Sequence, residues 1–315
     1  MEQIVEPIDK ALIEKELTPD KFVRETNHGK NQLYIVNAHN SPYIMQEIGR
    51  LRELTFRSAG GGTGNPVDID KYDVSEKPYQ QLIVWDPQDR EILGGYRFHN
   101  IDPSKGDEMH LSTIKLFNFS DDFKRNYMPY MIELGRSFVQ PKYQSTGRTG
   151  KGLYALDNLW DGLGALVVRY PGIKYFFGKV TMYRSYNTEA RNLLLYFFQK
   201  HFADTEGLVT PIDPMEVEID RDRLAKIFTG SDYKEDYKIL SKEVRALGEN
   251  IPPLINSYMN LSPSMKVFGT ILNPDFGNVE ETGIMITIDD IYESKVERHI
   301  LSFFRRRFKY LKSNG

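Results

Sequence analysis

The 315-residue sequence contains no cysteine, which excludes disulfide bonds, cysteine-ligated zinc and thiol catalysis. It contains no run of about 18 consecutive apolar residues, so no transmembrane helix is expected. The N-terminal segment lacks the basic stretch and following apolar stretch of a signal peptide. Together these absences predict a cytoplasmic protein that contacts a membrane only at its surface.

A large net charge and metal-binding patterns are also lacking. The formal net charge of −3 gives no overall attraction to nucleic acid, and the six histidines show no metal-ligand spacing. We therefore predict neither a nucleic-acid partner nor a metal site. Hydrophobic residues make up 40% and charged residues 27% of the chain, which is ordinary for a soluble globular protein.

Hydrophobic periodicity predicts strands and helices along the whole chain. Strands are predicted at Leu33–Val36, Gln81–Trp85, Ile92–Phe98, 112–119, Ile132–Val139, Tyr175–Met182, Val267–Ile271 and Gly283–Ile288. Helices are predicted at 8–17, from Thr18-Pro19-Asp20, after Ser41-Pro42, at Leu153–Arg169 and at Asn187–Phe202. The charge-rich residues 205–250 are interpreted as a helical insertion in a single domain spanning residues 1–315.

The stretch Met131–Gly152 carries the strongest functional signal. A strand leads through a Gly- and Ser-rich turn into an apolar helix, and such a helix N-terminus presents unpaired N–H groups to a phosphate or pyrophosphate. It is not a Walker A loop, because Gly152 follows Lys151 where Ser or Thr is required. No acidic residue completes a dinucleotide-binding unit either. A plain strand–helix turn remains the alternative.

Glu133 and Arg136 lie on the strand that enters this turn. One is a candidate proton acceptor and the other a candidate anion-binding group, and a structural ion pair is the alternative for both. Residues three apart on a regular strand face opposite sides, so these two side chains need not meet.

Several blocks resemble a known family. The turn Gln144-x-x-Gly147, with Gly150 following, is similar to the donor-binding turn of GNAT-type acyltransferases, and Asn187 to Tyr196 is similar to a later helix of that fold. Three further blocks resemble the GNAT-related N-acyltransferases of the ornithine-lipid and glycine-lipid type, often labelled hemolysin-like. They begin with Asp68-x-Asp70-x-x-Asp73 and Gly94-Gly95-Tyr96-Arg97, continue with Glu133-Leu134-Gly135-Arg136-Ser137, and end with Asn273-Pro274-Asp275-Phe276-Gly277. The chain departs from the family at Tyr79, where a cysteine is expected, at Thr149, and in the insertion.

The resemblance implies a mixed α/β, GNAT-like fold with a twisted, mostly antiparallel sheet and helices on both faces. It implies transfer of a long, often 3-hydroxylated acyl chain from acyl carrier protein to the amino group of a small amino acid of the glycine or ornithine type. The product would be an aminolipid precursor. No permanently bound cofactor is implied, because the acyl donor is carried on phosphopantetheine, in acyl carrier protein or CoA.

The resemblance also implies site residues. The catalytic candidates are Glu133, Arg136, Asp70, Asp73 and Tyr196, the last as proton donor to the leaving thiolate. The donor-binding candidates are Val139, Gln144, Gly147, Gly150 and Asn187. Arg97 and Arg52 are the substrate-binding candidates. Two roles stay open for Arg97, which either pairs with the acidic turn Asp68–Asp73 or binds the carboxylate of the amino acid.

Residues 292–315 are predicted to form a basic amphipathic helix. Arg305, Arg306, Arg307, Lys309 and Lys312 surround an apolar face. Such a helix can bind an anionic membrane, contact an acidic carrier protein, or pack on the domain.

Two rival functions remain for the protein: an acetyl-CoA-dependent GNAT enzyme acting on a small amine, and a membrane-binding protein without catalysis.

Overall fold

A computed structural model describes residues 1–102, 110–144 and 151–303, with the backbone alone for residues 151–153. Ten strands lie in this part of the chain: β1 (Phe22–Glu25), β2 (Gln32–Val36), β3 (Gln80–Asp86), β4 (Glu91–Asn100), β5 (Phe117–Phe119), β6 (Met131–Val139), β7 (Tyr175–Met182), β8 (Val209–Pro211), β9 (Lys266–Asn273) and β10 (Val279–Thr287). The α-helices in the same part are α1 (Lys10–Glu16), α2 (Pro42–Ser58), α3 (Lys71–Val74), α4 (Asp121–Asn126), α5 (Lys151–Arg169), α6 (Thr188–Phe202), α7 (Arg221–Ile227), α8 (Tyr233–Ala246), α9 (Pro253–Met259) and α10 (Glu293–Lys295).

Most predicted elements are confirmed to within a few residues, and two are wrong. The helix predicted from Thr18 is absent: residues 18–21 turn into β1, because Phe22 and Arg24 pair with Tyr34 and Leu33 of β2. Tertiary pairing therefore overrides the local Thr-Pro-Asp signal. The strand predicted at 112–119 is limited to Phe117–Phe119 and follows a 3₁₀ turn at Ser112–Lys115.

The chain divides into two compact units, which are described separately. The first contains Met1–Ile101, Ile132–Ile173 and Tyr292–Gly315. Its sheet has the strand order β1-β2-β3-β4-β6, and every neighbouring pair is antiparallel. Helix α5 packs on β3 and β4, where a side chain at Gly162 would collide with Leu82.

The described part of the C-terminal segment, residues 292–303, docks on α5 within the same unit. After α10 the backbone forms a π-helical turn at Val296–Leu301, and Asp161 of α5, which is buried, accepts a 2.8 Å hydrogen bond from Nδ1 of His299. A side chain at Gly164 would overlap the carbonyl oxygen of His299, so the two backbones approach closely there. Residues 304–315 of the predicted basic helix lie outside the described part of the chain.

The second unit contains Asp102–Met131 and Lys174–Ile291. Its strands form the antiparallel sheet β7-β10-β9 and the antiparallel pair β5-β8. Phe123, Phe177 and Phe268 form part of an aromatic core, with ring centroids 5.6–6.2 Å apart. Residues 205–250 contain α7 and α8, and the interpretation of this stretch as an insertion stays a prediction. The predicted mixed α/β, mostly antiparallel architecture is confirmed.

Candidate active site

The predicted strand with Glu133 and Arg136 is β6, at one end of the sheet of the first unit. Residues directly opposite one another in antiparallel strands point to the same face. Gln81 of β3 lies opposite Arg97 of β4, and His99 of β4 lies opposite Glu133 of β6. One face of the sheet therefore gathers an amide, a guanidinium, an imidazole and a carboxylate.

The acidic turn (Asp68, Asp70 and Asp73) folds over this face. Asp70 caps α3: its side chain accepts hydrogen bonds from the backbone N–H groups of Tyr72 at 2.9 Å and Asp73 at 3.3 Å. The Asp73 side chain in turn accepts one from the backbone N–H of Asp70 at 3.1 Å. This reciprocal capping box fixes the direction of both carboxylates.

Arg52 and Arg97 form ion pairs with the aspartates of the acidic turn. The Nη1 atom of Arg52, on α2, lies 3.2 Å from Asp73, and Arg97 lies 2.8 Å from Asp70 and 3.2 Å from Asp73. Gln81 links these groups, since its amide donates to Asp73 at 2.9 Å and its oxygen accepts from Arg52. Arg52 and Asp73 are completely buried, so their charges depend on each other rather than on water.

These charges control the protonation of Asp73. Burial opposes ionisation, but attraction to Arg52 and Arg97 outweighs it and holds the pKa of the Asp73 carboxyl well below its usual range. Burial also acts against the charge of Arg97, yet Asp73 and Asp70 raise the pKa of its guanidinium. Asp73 is therefore a permanent counterion, and a poor proton acceptor near neutral pH.

Arg136 joins the same network through a β-bulge. Gly95 pairs with Phe138 and Arg97 with Gly135, so β6 has one residue more than β4 at this point. Arg136 has a left-handed backbone with φ of 52°. Its Nε lies 2.7 Å from Asp68, and its Nη2 lies 3.9 Å from Asp70, which also binds Arg97. The expectation that residues 133 and 136 face opposite sides is wrong, because it assumed a regular strand.

The resulting ion-pair network consists of three arginines and three aspartates, whose formal charges cancel: Arg52, Arg97, Arg136, Asp68, Asp70 and Asp73. Its exposure is uneven. The side chains of Asp70 and Arg136 are 30% and 13% exposed, whereas the Arg97 side chain is 3% exposed. Of the two roles left open for Arg97, the structure shows pairing with the acidic turn. Direct contacts of Arg97 and Arg52 with the substrate stay predictions.

Glu133 lies beside this network in an aromatic enclosure. Its carboxylate accepts a hydrogen bond from the Tyr79 hydroxyl, and both residues are 1% exposed. The Tyr79 ring stacks on His99 with centroids 4.8 Å apart. Burial together with the charges of Glu133 and Asp70 raises the pKa of Tyr72, the second tyrosine here. A carboxylate held by a hydroxyl in a dry enclosure is suited to accept a proton from a bound amine.

The predicted donor turn is described only at its start. The Gln144 amide donates to the carbonyl oxygen of Val139 at 2.6 Å, which closes the end of β6. Gly147 and Gly150 lie outside the described residues. Helix α5 begins at Lys151, as the strand–turn–helix pattern requires.

Two further candidates belong to the second unit. Asn187 caps α6 by accepting hydrogen bonds from the backbone N–H groups of Glu189 at 2.9 Å and Ala190 at 3.2 Å. Tyr196 is half-buried on α6, and its ring stacks on Phe228 with centroids 5.4 Å apart. Their roles toward the donor stay predictions.

The described residues contain neither a metal-binding cluster nor a membrane-spanning helix. No group of three or more His, Cys, Asp or Glu side chains with metal-binding geometry occurs in that part of the chain. No helix there is long and apolar enough to cross a membrane.

The sequence is similar to known acyltransferases. A family model described as an acetyltransferase (GNAT) domain matches residues 51–153. A glycine N(alpha)-acyltransferase of Phocaeicola vulgatus is 54% identical over 315 residues, covering 99% of this chain and 97% of the relative. Another glycine N(alpha)-acyltransferase, from Bacteroides thetaiotaomicron, is 55% identical over 306 residues, covering 96% and 91%. The chain belongs to the GNAT-related N-acyltransferase family. No solved structure matches it significantly.

The family match and the site coincide. Residues 51–153 run from the helix that carries Arg52 to the start of α5, and they include the acidic turn, β3, β4 and β6. This N-acyltransferase therefore has its ion-pair network and Glu133 inside the GNAT segment. The prediction of an acyltransferase with a GNAT-like fold is confirmed.

Sequence reasoning missed Tyr79, His99 and Gln81 as members of the site. Tyr79 was recognised only as a departure from the family, and His99 only as one of six histidines without metal-ligand spacing. The signal was present, because Tyr79 and Gln81, like Arg97 and His99, are two residues apart at the open end of the predicted hairpin, with Tyr79 and His99 just beyond its strands. Residues at that spacing share a face of a strand, so the hairpin places all four beside the acidic turn.

Proposed function

We propose that this N-acyltransferase transfers a long, 3-hydroxylated acyl chain from acyl carrier protein to the amino group of glycine, giving an aminolipid precursor. The names of both relatives support glycine as the acceptor. The observation that carries the proposal is the buried Glu133 carboxylate on β6, the strand that leads directly into the predicted donor turn.

Transfer of the acyl chain to an amine requires a group that accepts a proton. A glycine ammonium must lose a proton before its nitrogen attacks the thioester carbonyl carbon, and Glu133 is proposed to accept that proton. The new C–N bond forms as the C–S bond breaks. The leaving thiolate takes up a proton to become the carrier thiol, with Tyr196 proposed as the donor. The balanced products are the N-acylglycine, the free carrier thiol and one proton released to solvent.

The acceptor is proposed to bind at the exposed side of the ion-pair network. Asp70 and Arg136 are its two most accessible members and have opposite charge. A zwitterionic amino acid matches this pair, with its ammonium near Asp70 and its carboxylate near Arg136. Arg97 and Asp73, which are nearly or fully buried, are proposed to hold the accessible pair in place.

Donor and acceptor selectivity gives the first test. The purified enzyme is incubated with 3-hydroxyacyl carrier protein, the matching acyl-CoA or acetyl-CoA, each with a pool of amino acids, and products are read by mass spectrometry. We expect N-(3-hydroxyacyl)glycine from the carrier-protein donor as the main product. Acetyl transfer as the main activity would instead support the rival function, which the acetyltransferase description of the matching family model favours. No product from any donor would contradict both.

The C-terminal segment supports a peripheral membrane location, which we propose for release of a lipid product. Its sequence has Arg305, Arg306, Arg307, Lys309 and Lys312 beyond the part docked on α5. Basic residues near an anionic bilayer contribute about 1 kcal/mol each. The proposal is therefore that the segment binds the anionic inner face of the membrane.

Vesicle sedimentation tests this location. Replacing Arg305, Arg306 and Arg307 with glutamine is expected to weaken binding to anionic vesicles by about 100-fold, since three charges are lost. The matched control replaces three exposed lysines of α8, Lys234, Lys238 and Lys242, and is expected to leave binding unchanged. Equal binding of the wild type to neutral and anionic vesicles, or equal loss in both variants, would contradict the proposal.

A further inference from the structure

The hydroxyl of Tyr79 contacts the candidate base directly. It donates a hydrogen bond to one oxygen of Glu133, and neither residue has more than 1% of its surface exposed. The contact is therefore enclosed by protein.

Two backbone hydrogen bonds and two ring contacts hold Tyr79 in place. The backbone N–H of Tyr79 donates to the carbonyl of Tyr72 at 2.8 Å, and its carbonyl accepts from Gln81 at 3.3 Å. Its ring stacks on His99, and the Arg97 guanidinium lies 5.2 Å from the ring centroid. The hydroxyl is therefore directed at Glu133 by contacts that include Arg97, a member of the ion-pair network.

The hydrogen bond from Tyr79 restricts the orientation of the Glu133 side chain. The hydroxyl occupies one carboxylate oxygen, so the direction of the carboxylate plane depends on this contact. A general base has to lie within hydrogen-bond reach of the proton that it removes, and its orientation is therefore important before the amine arrives.

We propose that Tyr79 is a positioning residue whose hydroxyl holds the Glu133 carboxylate in the orientation that proton transfer requires. The inference rests on the proposed function, in which Glu133 accepts the proton of the acceptor amine. If Tyr79 were merely structural, loss of its hydroxyl would cost the same activity with and without the Glu133 carboxylate.

The test is Tyr79→Phe, which removes the hydroxyl and keeps the stacked ring. We expect kcat/KM at neutral pH to fall by about 10- to 100-fold, through kcat rather than KM, because the hydroxyl acts on the proton-transfer step. The control is Tyr34→Phe on β2, which removes the hydroxyl of another buried tyrosine, bonded at 2.9 Å to the neutral Gln32, and is expected to leave kcat unchanged.

Two further measurements keep the outcome decisive. In the Glu133→Gln background, Tyr79→Phe is expected to cost little more activity, because a positioning residue acts through its partner. Carbon-13 NMR of labelled glutamate, without substrate, should show a changed chemical shift for the Glu133 carboxylate carbon in Tyr79→Phe and an unchanged one in Tyr34→Phe. An unchanged Glu133 signal in Tyr79→Phe, or an equal loss of activity with and without the Glu133 carboxylate, would overturn the inference. If the wild type uses no donor, the proposed function fails, and the NMR comparison alone still decides the role of Tyr79.

Discussion

Replacing Glu133 with glutamine is expected to lower kcat/KM for acyl transfer by about 10²- to 10⁴-fold, the usual contribution of a positioned general base. Glutamine has the same shape, and its side-chain oxygen can still accept the hydrogen bond from Tyr79. It cannot take up a proton from the acceptor ammonium. Steady-state kinetics with the preferred donor and glycine measures the effect.

The loss is expected in the chemical step rather than in folding. The formal charges of the ion-pair network already cancel without Glu133, so neutralising this residue does not leave the network with excess positive charge. The control is Glu47→Gln on α2, a buried carboxylate that binds Arg50 at 2.6 Å in the same unit. We expect near wild-type kcat/KM for this control. Comparable activity in Glu133→Gln and Glu47→Gln would show that another group removes the proton.

The largest expected effect on stability is that of Asp73→Asn, about 3–5 kcal/mol in the free energy of unfolding. Asp73 and Arg52 are both fully buried, and the same carboxylate binds Arg97 at 3.2 Å. Removing its charge leaves two buried guanidinium groups with one fewer anion. Denaturant unfolding followed by circular dichroism measures the difference.

A surface pair provides the control for Asp73→Asn. Glu14 binds Arg90 through both oxygens at 2.6 and 2.7 Å, but the two side chains are 39% and 47% exposed. Glu14→Gln should therefore destabilise the fold far less than Asp73→Asn does, because water already solvates both charges. Equal effects of the two substitutions would mean that burial does not determine the strength of the Asp73 contacts.

Asp73 also determines the direction in which the stability of the fold changes with pH. The native state holds the pKa of Asp73 below that of the unfolded chain, through Arg52 and Arg97 acting against burial. Its contribution to stability is therefore complete above about pH 4 and is lost as the pH falls further. The Asp73→Asn variant should show a correspondingly flatter loss of stability in acid.

Local patterns were sufficient for much of this protein. Strand–turn–helix periodicity predicted β6 and α5, and the residue types of Asp70, Asp73 and Glu133 indicated proton and ion-pair chemistry. These features depend on neighbours within a few residues, and side-chain period and turn chemistry report on such neighbours directly. The mostly antiparallel α/β architecture was predicted through the resemblance, which covers most of the chain.

What lay beyond the sequence was the direction of individual side chains. The bulge at Arg136 inverts the expected face, because an extra residue in β6 is decided by its pairing with β4 and leaves no mark in the residue order. The contact between Tyr79 and Glu133 joins residues 54 positions apart. The sequence alone thus determined which chemical groups the enzyme has and on which elements they lie. Strand pairing and burial in the tertiary structure decided which of those groups meet and which charges are enclosed, because both depend on contacts between distant parts of the chain.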